Sequence, residues 1–79
     1  MGHEVIVYTS PTCGWCQALK DYLRAREIDF EEVDVAMDPS LAQEMIEKSG
    51  QMGTPVVDID GEIVIGFNKP EIDQLLELV

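Results

Sequence analysis

Apolar residues in the first third of the chain follow two different patterns. Residues 5–8 form the continuous run Val-Ile-Val-Tyr, which is typical of a strand buried on both faces and predicts the central strand of a sheet. After a short loop, apolar residues recur at helical spacing from Trp15 to Leu23, and charged residues lie between them. This pattern predicts a first helix that begins at or just after Cys13.

The middle of the chain repeats this order. Residues 30–35 (FEEVDV) alternate in their second half and predict a second strand. Asp38, which is followed by a proline, is typical of a helix cap. Apolar residues at helical spacing extend the predicted helix to about Lys48, and Gly50 is its predicted stop. The strand, helix, strand order predicts a right-handed crossover between two parallel strands.

Two further strands are predicted at residues 55–59 and 62–65. The dipeptide Asp60-Gly61 between them accepts the positive φ angles of a two-residue hairpin turn, so we expect these strands to be antiparallel. A third helix is predicted to open at Asn68, which is followed by a lysine, a proline and a glutamate. Together the patterns predict four strands and three helices in an α/β arrangement.

Composition narrows the class of protein. With 79 residues, of which 46% are hydrophobic, the chain has room for one folded domain, residues 1–79, and is not typical of disorder. It contains no apolar run of about 18 residues and no secretory signal pattern, so we expect a cytoplasmic protein that does not cross a membrane. The net charge of −11 disfavours nucleic acid as a partner, because phosphate neutralisation requires a basic patch. We expect a monomer.

The two cysteines of the chain, Cys13 and Cys16, are separated only by Gly14 and Trp15. A disulfide between them would close almost no loop, so a role in stapling the fold is disfavoured. At the start of a helix that follows a strand, this spacing favours redox chemistry. The unpaired N–H groups of the first helical turn and the helix dipole favour a thiolate over a thiol. Cys13 is therefore the predicted nucleophile, and Cys16, one turn inside the helix, is predicted to resolve the mixed disulfide.

Other interpretations of this segment stay open. Gly14 would allow another chain to approach closely, and Trp15 is equally consistent with an apolar surface beside the sulfurs and with a core anchor. One Cys-x-x-Cys motif is half of a zinc site, and His3 is the single histidine. A metal ion or an iron–sulfur cluster would therefore have to be held between two chains or with an external thiol. The remaining alternatives are a redox-regulated interaction domain without turnover and a pair of inert buried cysteines.

Four segments resemble the thioredoxin superfamily and, within it, the glutaredoxin family, over nearly the whole chain. They are VYTSPTCGWC (7–16), FEEVDV (30–35), GTPVVDIDGE (53–62) and IGFNKPEID (65–73). The resemblance implies a thioredoxin-like (glutaredoxin) fold, in which a four-stranded mixed sheet is flanked by three helices. It also implies a cis bond between Thr54 and Pro55, which would face the cysteines and leave the Thr54 backbone able to pair with a substrate chain.

Two positions of the chain depart from the pattern of glutathione-using glutaredoxins. Those proteins carry a basic residue three positions before the first cysteine, where this chain has Ser10. They also carry a Gly-Gly pair near the last helix, where this chain has Gly66 and Phe67. Both departures remove partners for the glutathione carboxylates and disfavour tight glutathione binding. The redoxins that reduce ribonucleotide reductase, which the chain also resembles, share the Gly-Phe pair.

The cysteine pair and the resemblance together predict a dithiol–disulfide oxidoreductase that reduces protein disulfides. The expected catalytic residues are Cys13 and Cys16. The residues expected to contact the substrate are Gly14, Trp15, Thr54, Pro55, Gly66 and Phe67. No bound cofactor and no metal are expected in this interpretation. Reducing equivalents would come from NADPH through a thioredoxin-reductase-like flavoprotein, or from glutathione.

Overall fold

The computed structural model of the chain describes residues 4–11, 14–51 and 53–76. Within these ranges the chain forms four strands and three helices, in the order that the sequence predicts. The elements are β1 (Val5–Thr9), α1 (Gly14–Ala25), β2 (Glu31–Asp34), α2 (Pro39–Ser49), β3 (Val56–Ile59), β4 (Glu62–Ile65) and α3 (Lys69–Leu75). The predicted thioredoxin-like arrangement, a four-stranded mixed sheet with three helices, is confirmed.

The strands form one sheet in the order β2-β1-β3-β4. β1 runs parallel to β2, with Val7 opposite Glu32, and antiparallel to β3, with Val7 opposite Val57. β3 and β4 form the antiparallel hairpin that the sequence predicts. The apolar run of β1 is thus an inner strand, and the parallel pairing of the first two strands is confirmed.

Two apolar clusters lie on opposite faces of this sheet, because successive side chains of a strand point to opposite sides. The first cluster contains Val5, Val7, Leu19, Leu23, Val57, Ile59, Val64, Ile72 and Leu76. The second contains Tyr8, Met45 and Val56, with Ile6, Val33, Val35 and Ile63 partly buried against it. Helices α1 and α3 therefore cover one face and α2 covers the other.

Local signals place the helix ends and the hairpin turn where the sequence predicts them. The Asp38 carboxylate caps α2 by accepting the Ser40 N–H at 2.9 Å, and Gly50 ends that helix with a φ of 77°. The hairpin turn has positive φ at both central residues, 53° at Asp60 and 93° at Gly61. Asn68 caps α3.

Two strands are shorter than the sequence predicts. β2 spans only Glu31–Asp34, although the side chains of Phe30 and Val35 pack against the apolar clusters and the Val35 N–H donates to the Thr9 carbonyl at 3.0 Å. β3 begins at Val56 rather than at Pro55, since proline has no N–H to donate to a strand partner. In the described part of the chain, none of the helices is long and apolar enough to cross a bilayer.

Candidate active site

Cys16 lies in the first turn of α1, as the third residue of that helix. Its side chain is buried, with only 2% of the residue exposed. Cys13 lies outside the described residues, so its assignment as the nucleophile stays a prediction. In the sequence, Cys13 directly precedes Gly14, the first residue of α1. The predicted start of the first helix is therefore confirmed, and it is the feature on which the expected reactivity of Cys13 depends.

A groove of about 280 Å³ lies beside the start of α1. Its lining consists of Trp15, Thr54, Pro55, Gly66 and Phe67. These residues come from three parts of the chain: the first turn of α1, the segment before β3, and the segment after β4. All five belong to the set that the sequence and the resemblance predict to contact the substrate. The tertiary structure therefore brings this part of the predicted set together in one place.

Trp15 forms an exposed wall of this groove. The residue is 67% exposed, which favours the apolar-surface interpretation over the core-anchor interpretation of the sequence. Its ring packs on that of Phe67, with the ring centroids 6.4 Å apart and the planes tilted by 57°. Tilted aromatic pairs at this distance are favourable. The groove therefore presents two aromatic side chains next to the segment that contains the cysteines.

The floor of the groove is built on the segment before β3. The bond between Thr54 and Pro55 is cis, as the resemblance implies. A hydrogen bond of 3.3 Å joins the hydroxyl groups of Ser10 and Thr54. The N–H of Gly66 donates to the Pro55 carbonyl at 2.8 Å, and Gly66 has a φ of 76°, a conformation that favours glycine. These contacts join the segment before β3 to the loop before α1 and to the segment after β4.

A second cavity, of about 410 Å³, is bordered by Cys16 itself. It is lined by Thr9, Ser10, Pro11, Gly14, Cys16, Gln17, Lys20, Glu32 and Asp34. Gly14, the remaining residue of the predicted contact set, is exposed and belongs to this lining rather than to the aromatic groove. The two cavities therefore flank the cysteine-bearing end of α1.

An ion pair dominates the electrostatics of the second cavity. Lys20 Nζ lies 2.8 Å from Glu32 Oε2, and the Thr9 hydroxyl donates to the same oxygen at 3.1 Å. The hydrogen bond from Lys20 lowers the pKa of Glu32 below its usual value, and the hydrogen bond from Thr9 acts in the same direction. Asp34 adds a second carboxylate. Among the described residues that line this cavity, Lys20 is the one cation, so the lining is acidic overall.

Thr9, Lys20 and Glu32 are site residues that sequence reasoning missed. Lys20 follows Cys16 by four positions in α1, which places the two side chains on one face of the helix. That spacing was a usable signal for Lys20. Glu32 reaches the site because β2 pairs with β1 in one particular register, which puts it opposite Val7. The sequence carries no short-range signal for that register.

Comparisons with known proteins agree with this architecture. The model of the family described as Glutaredoxin matches residues 5–64. An uncharacterized glutaredoxin-like 8.6 kDa protein in the rubredoxin operon of Clostridium pasteurianum is 51% identical to this chain over 71 residues, which cover 90% of this chain and 95% of that protein. A segment of NADPH-dependent thioredoxin reductase 3 of Arabidopsis thaliana is 41% identical over 59 residues, which cover 67% of this chain and 10% of that protein.

Among solved structures, the crystal structure of a thioredoxin-like protein covers 92% of this chain and 100% of its own. Its TM-score is 0.86 and its sequence identity to this chain is 36%. The family model covers well over half of the chain, and the relative from Clostridium pasteurianum matches it nearly end to end. The chain therefore belongs to the glutaredoxin family of the thioredoxin superfamily.

Proposed function

We propose that this protein is a dithiol–disulfide oxidoreductase that reduces protein disulfides, with Cys13 as the nucleophile and Cys16 as the resolving cysteine. Membership in the glutaredoxin family supports thiol–disulfide chemistry as the reaction class. The observation that carries the proposal is the position of Cys16. It is buried in the first turn of α1, and it directly follows Trp15, whose ring forms a wall of the open groove.

The proposed reaction transfers two electrons from the cysteine pair to the client. The Cys13 thiolate attacks one sulfur of the client disulfide, so that a mixed disulfide forms and the other client sulfur leaves as a thiolate. Cys16, as a thiolate, then attacks the Cys13 sulfur and releases the second client thiolate. Both client thiolates end as thiols at neutral pH after taking up protons. The products are a reduced client dithiol and a disulfide between Cys13 and Cys16.

The start of α1 supplies the activation in this proposal. Because Cys13 directly precedes the helix, the N–H groups of the first turn that lack helical partners favour the anionic form of its sulfur. The positive end of the helix dipole acts in the same direction. Burial of Cys16 keeps the resolving sulfur away from solvent until the mixed disulfide forms.

The groove supplies the client-binding surface. Trp15 and Phe67 offer apolar area to a side chain next to the client cysteine. The backbone of Thr54, before the buried Pro55, is proposed to pair with an extended client segment as a short added strand. A protein disulfide is therefore a better client than a small hydrophilic disulfide, because only the protein can contact both surfaces.

We further propose a thioredoxin-reductase-like flavoprotein, which uses NADPH, as the electron donor, and a cytoplasmic location. Lys20 is paired with Glu32, whose carboxylate competes with a glutathione carboxylate for this cation. The whole chain carries a net charge of −11, which repels an anionic thiol. The similarity to a segment of a thioredoxin reductase also supports such a donor. Glutathione is the alternative donor.

The test is an NADPH-coupled assay on a protein disulfide such as that of insulin. One arm contains glutathione and glutathione reductase, and the other contains thioredoxin reductase. We expect NADPH consumption in the thioredoxin reductase arm, none for Cys13→Ser, and a mixed disulfide trapped by Cys16→Ser and visible by mass spectrometry. Full activity of Cys13→Ser, or no NADPH consumption by the wild type in either arm, would refute the proposal.

A further inference from the structure

Phe67, in the segment between β4 and α3, is packed between two aromatic rings of α1. One is Trp15 in the groove wall, and the other is Tyr22, whose ring centroid lies 5.6 Å from that of Phe67 with the planes tilted by 52°. Tyr22 follows Trp15 by seven positions, so both rings project from the same face of the helix. Tyr22 itself does not line the groove. It contacts the groove wall from behind.

The hydroxyl end of Tyr22 is anchored to α3. The hydroxyl donates to the carboxylate of Asp73, which is only 5% exposed. The other carboxylate oxygen of Asp73 accepts from Lys69 Nζ at 2.9 Å. The hydrogen bond from Tyr22, followed by that from Lys69, lowers the pKa of Asp73 below its usual value. Asp73 is therefore ionised at neutral pH, and it remains an acceptor for the Tyr22 hydroxyl.

Two cations hold the ring of the same tyrosine. Lys69 Nζ lies 5.2 Å from the centroid of the Tyr22 ring, and the Arg26 guanidinium lies 5.1 Å from it. Both distances are typical of cation–π contacts. The ring is thus held by Phe67 and the two cations, and the hydroxyl by Asp73. Tyr22 is also partly buried against the first apolar cluster.

The segment that carries Phe67 depends on such support. It begins at Gly66, directly after β4. Gly66 has a left-handed conformation that allows the chain to leave the sheet. Its next regular element is α3, which begins at Lys69. Groups that bind a substrate need neighbours that fix their geometry. Tyr22 is such a neighbour, because it contacts Phe67 directly and joins α1 to α3 on either side of it.

We propose that Tyr22 is a positioning residue for client binding: anchored by Asp73 and Lys69, it holds Phe67 in the groove wall and so sets the affinity for clients with an apolar side chain beside the reactive cysteine. This inference rests on the proposed reduction of protein disulfides. Small hydrophilic disulfides do not need the Phe67 wall, and their reduction is independent of Tyr22. Tyr22, which does not line the groove, thus distinguishes clients with an apolar side chain from small hydrophilic disulfides.

The experiment compares two substrates in the same coupled assay. The first is a disulfide-bridged peptide with phenylalanine next to the attacked cysteine, and the second is 2-hydroxyethyl disulfide. We expect Tyr22→Leu to raise the KM for the peptide by roughly two- to tenfold, the range that loss of one aromatic pair corresponds to. The kcat for the peptide and the rate with the small disulfide stay unchanged. Tyr22→Phe keeps the ring, loses the bond to Asp73, and raises the peptide KM by a smaller factor.

A double-mutant cycle tests whether Tyr22 acts through Phe67. In the Phe67→Ala background, Tyr22→Leu is expected to cause no further rise in the peptide KM, because the ring that it positions is absent. The matched control is Tyr8→Phe, which also removes a tyrosine hydroxyl that donates to a carboxylate, Glu44 at 2.6 Å, but on the opposite face of the sheet. It is expected to leave the peptide KM unchanged.

Several results would overturn the inference. An unchanged peptide KM in both Tyr22 variants would do so, as would additive effects in the cycle. Equal losses on both substrates, after correction for the folded fraction measured by circular dichroism, would show that Tyr22 has only a structural role. If Tyr22→Leu does not fold, an unchanged peptide KM of Tyr22→Phe refutes the role of Tyr22, and a raised one supports it. If the wild type is active and any of these overturning results is found, only the role of Tyr22 is refuted. If the wild type reduces neither disulfide, the proposed function is refuted as well.

Discussion

Replacement of Trp15 by alanine separates the two interpretations of this residue, an exposed binding surface and a core anchor. About a third of the residue is buried in the folded chain, since it is 67% exposed. An aromatic side chain buries about 150–250 Å² in full, so the buried part is about 50–80 Å². At about 25 cal/mol per Å² this contributes about 1–2 kcal/mol to folding, and the better helix propensity of alanine offsets about 0.5 kcal/mol. We expect Trp15→Ala to lower the free energy of unfolding by about 1 kcal/mol.

Trp15→Ala is expected to weaken client binding more than it weakens folding. The exposed two thirds of Trp15 offer about 100–170 Å² to a client, and binding recovers only part of the corresponding free energy. Loss of even about 1.4 kcal/mol raises the KM about tenfold. We therefore expect the KM for the phenylalanine-containing peptide disulfide to rise about tenfold or more, with little change in the rate of 2-hydroxyethyl disulfide reduction. Steady-state kinetics and urea unfolding of the same preparation measure both effects.

Met37→Ala is the matched control. Met37 is also a large apolar residue that is exposed, at 78%, and it lines neither the aromatic groove nor the cavity at Cys16. The variant is expected to change neither the KM nor the stability appreciably. A loss of stability above about 3 kcal/mol in Trp15→Ala, the cost of removing a buried tryptophan, together with an unchanged KM would refute the assignment of Trp15 to the client surface.

Three further predictions concern the fold and its dependence on pH. Lys48→Met is expected to lower the free energy of unfolding by about 1–2 kcal/mol in urea titrations, because it removes the cation 3.0 Å from the largely buried Asp58. This energy is already reduced to allow for the partial exposure of Lys48. An unchanged urea midpoint would contradict the prediction. Hydrogen bonds to Tyr8 and Asp58 raise the pKa of Lys48, so its contribution is fully present at neutral pH and is lost only as the pH rises through that raised value. Glu32→Gln is expected to flatten the fall in stability at acid pH. The pKa of Glu32 is lower in the folded chain than in the unfolded chain, where it is about 4.5, so the ionised carboxylate stabilises the fold above pH 4.5 and this contribution is lost as the pH falls through the folded pKa. An acid dependence of stability identical to that of the wild type would refute the role of the pair with Lys20. Asp38→Ala is expected to lower the melting temperature and Asp38→Asn to retain it, since both Asp and Asn can cap α2, and equal melting temperatures for the two variants would exclude the cap as the cause.

The sequence by itself determined the elements and their order, and it placed the ends of α2 and the hairpin turn, because the signals for them are local. Each end of α2 is set by residues within a few positions of it: Asp38 accepts from the Ser40 N–H at one end, and Gly50 has a positive φ at the other. Asp60 and Gly61 form the hairpin turn for the same reason. The continuous apolar run of β1 indicated an inner strand, since a strand covered on both faces has no polar side. The spacing of the cysteines at a predicted helix start was likewise readable without any structure.

The tertiary structure alone decided how the site is assembled. Helical spacing is compatible with Trp15 inside or outside the core, and only the docking of α1 on the sheet leaves it exposed beside Phe67. The contact between Tyr22 and Asp73 joins residues 51 positions apart, so no local pattern could indicate it. The pair of Lys20 with Glu32 requires both the docking of α1 and the register of β2 against β1. Such contacts depend on how whole elements pack, which is a property of the folded chain rather than of any short segment.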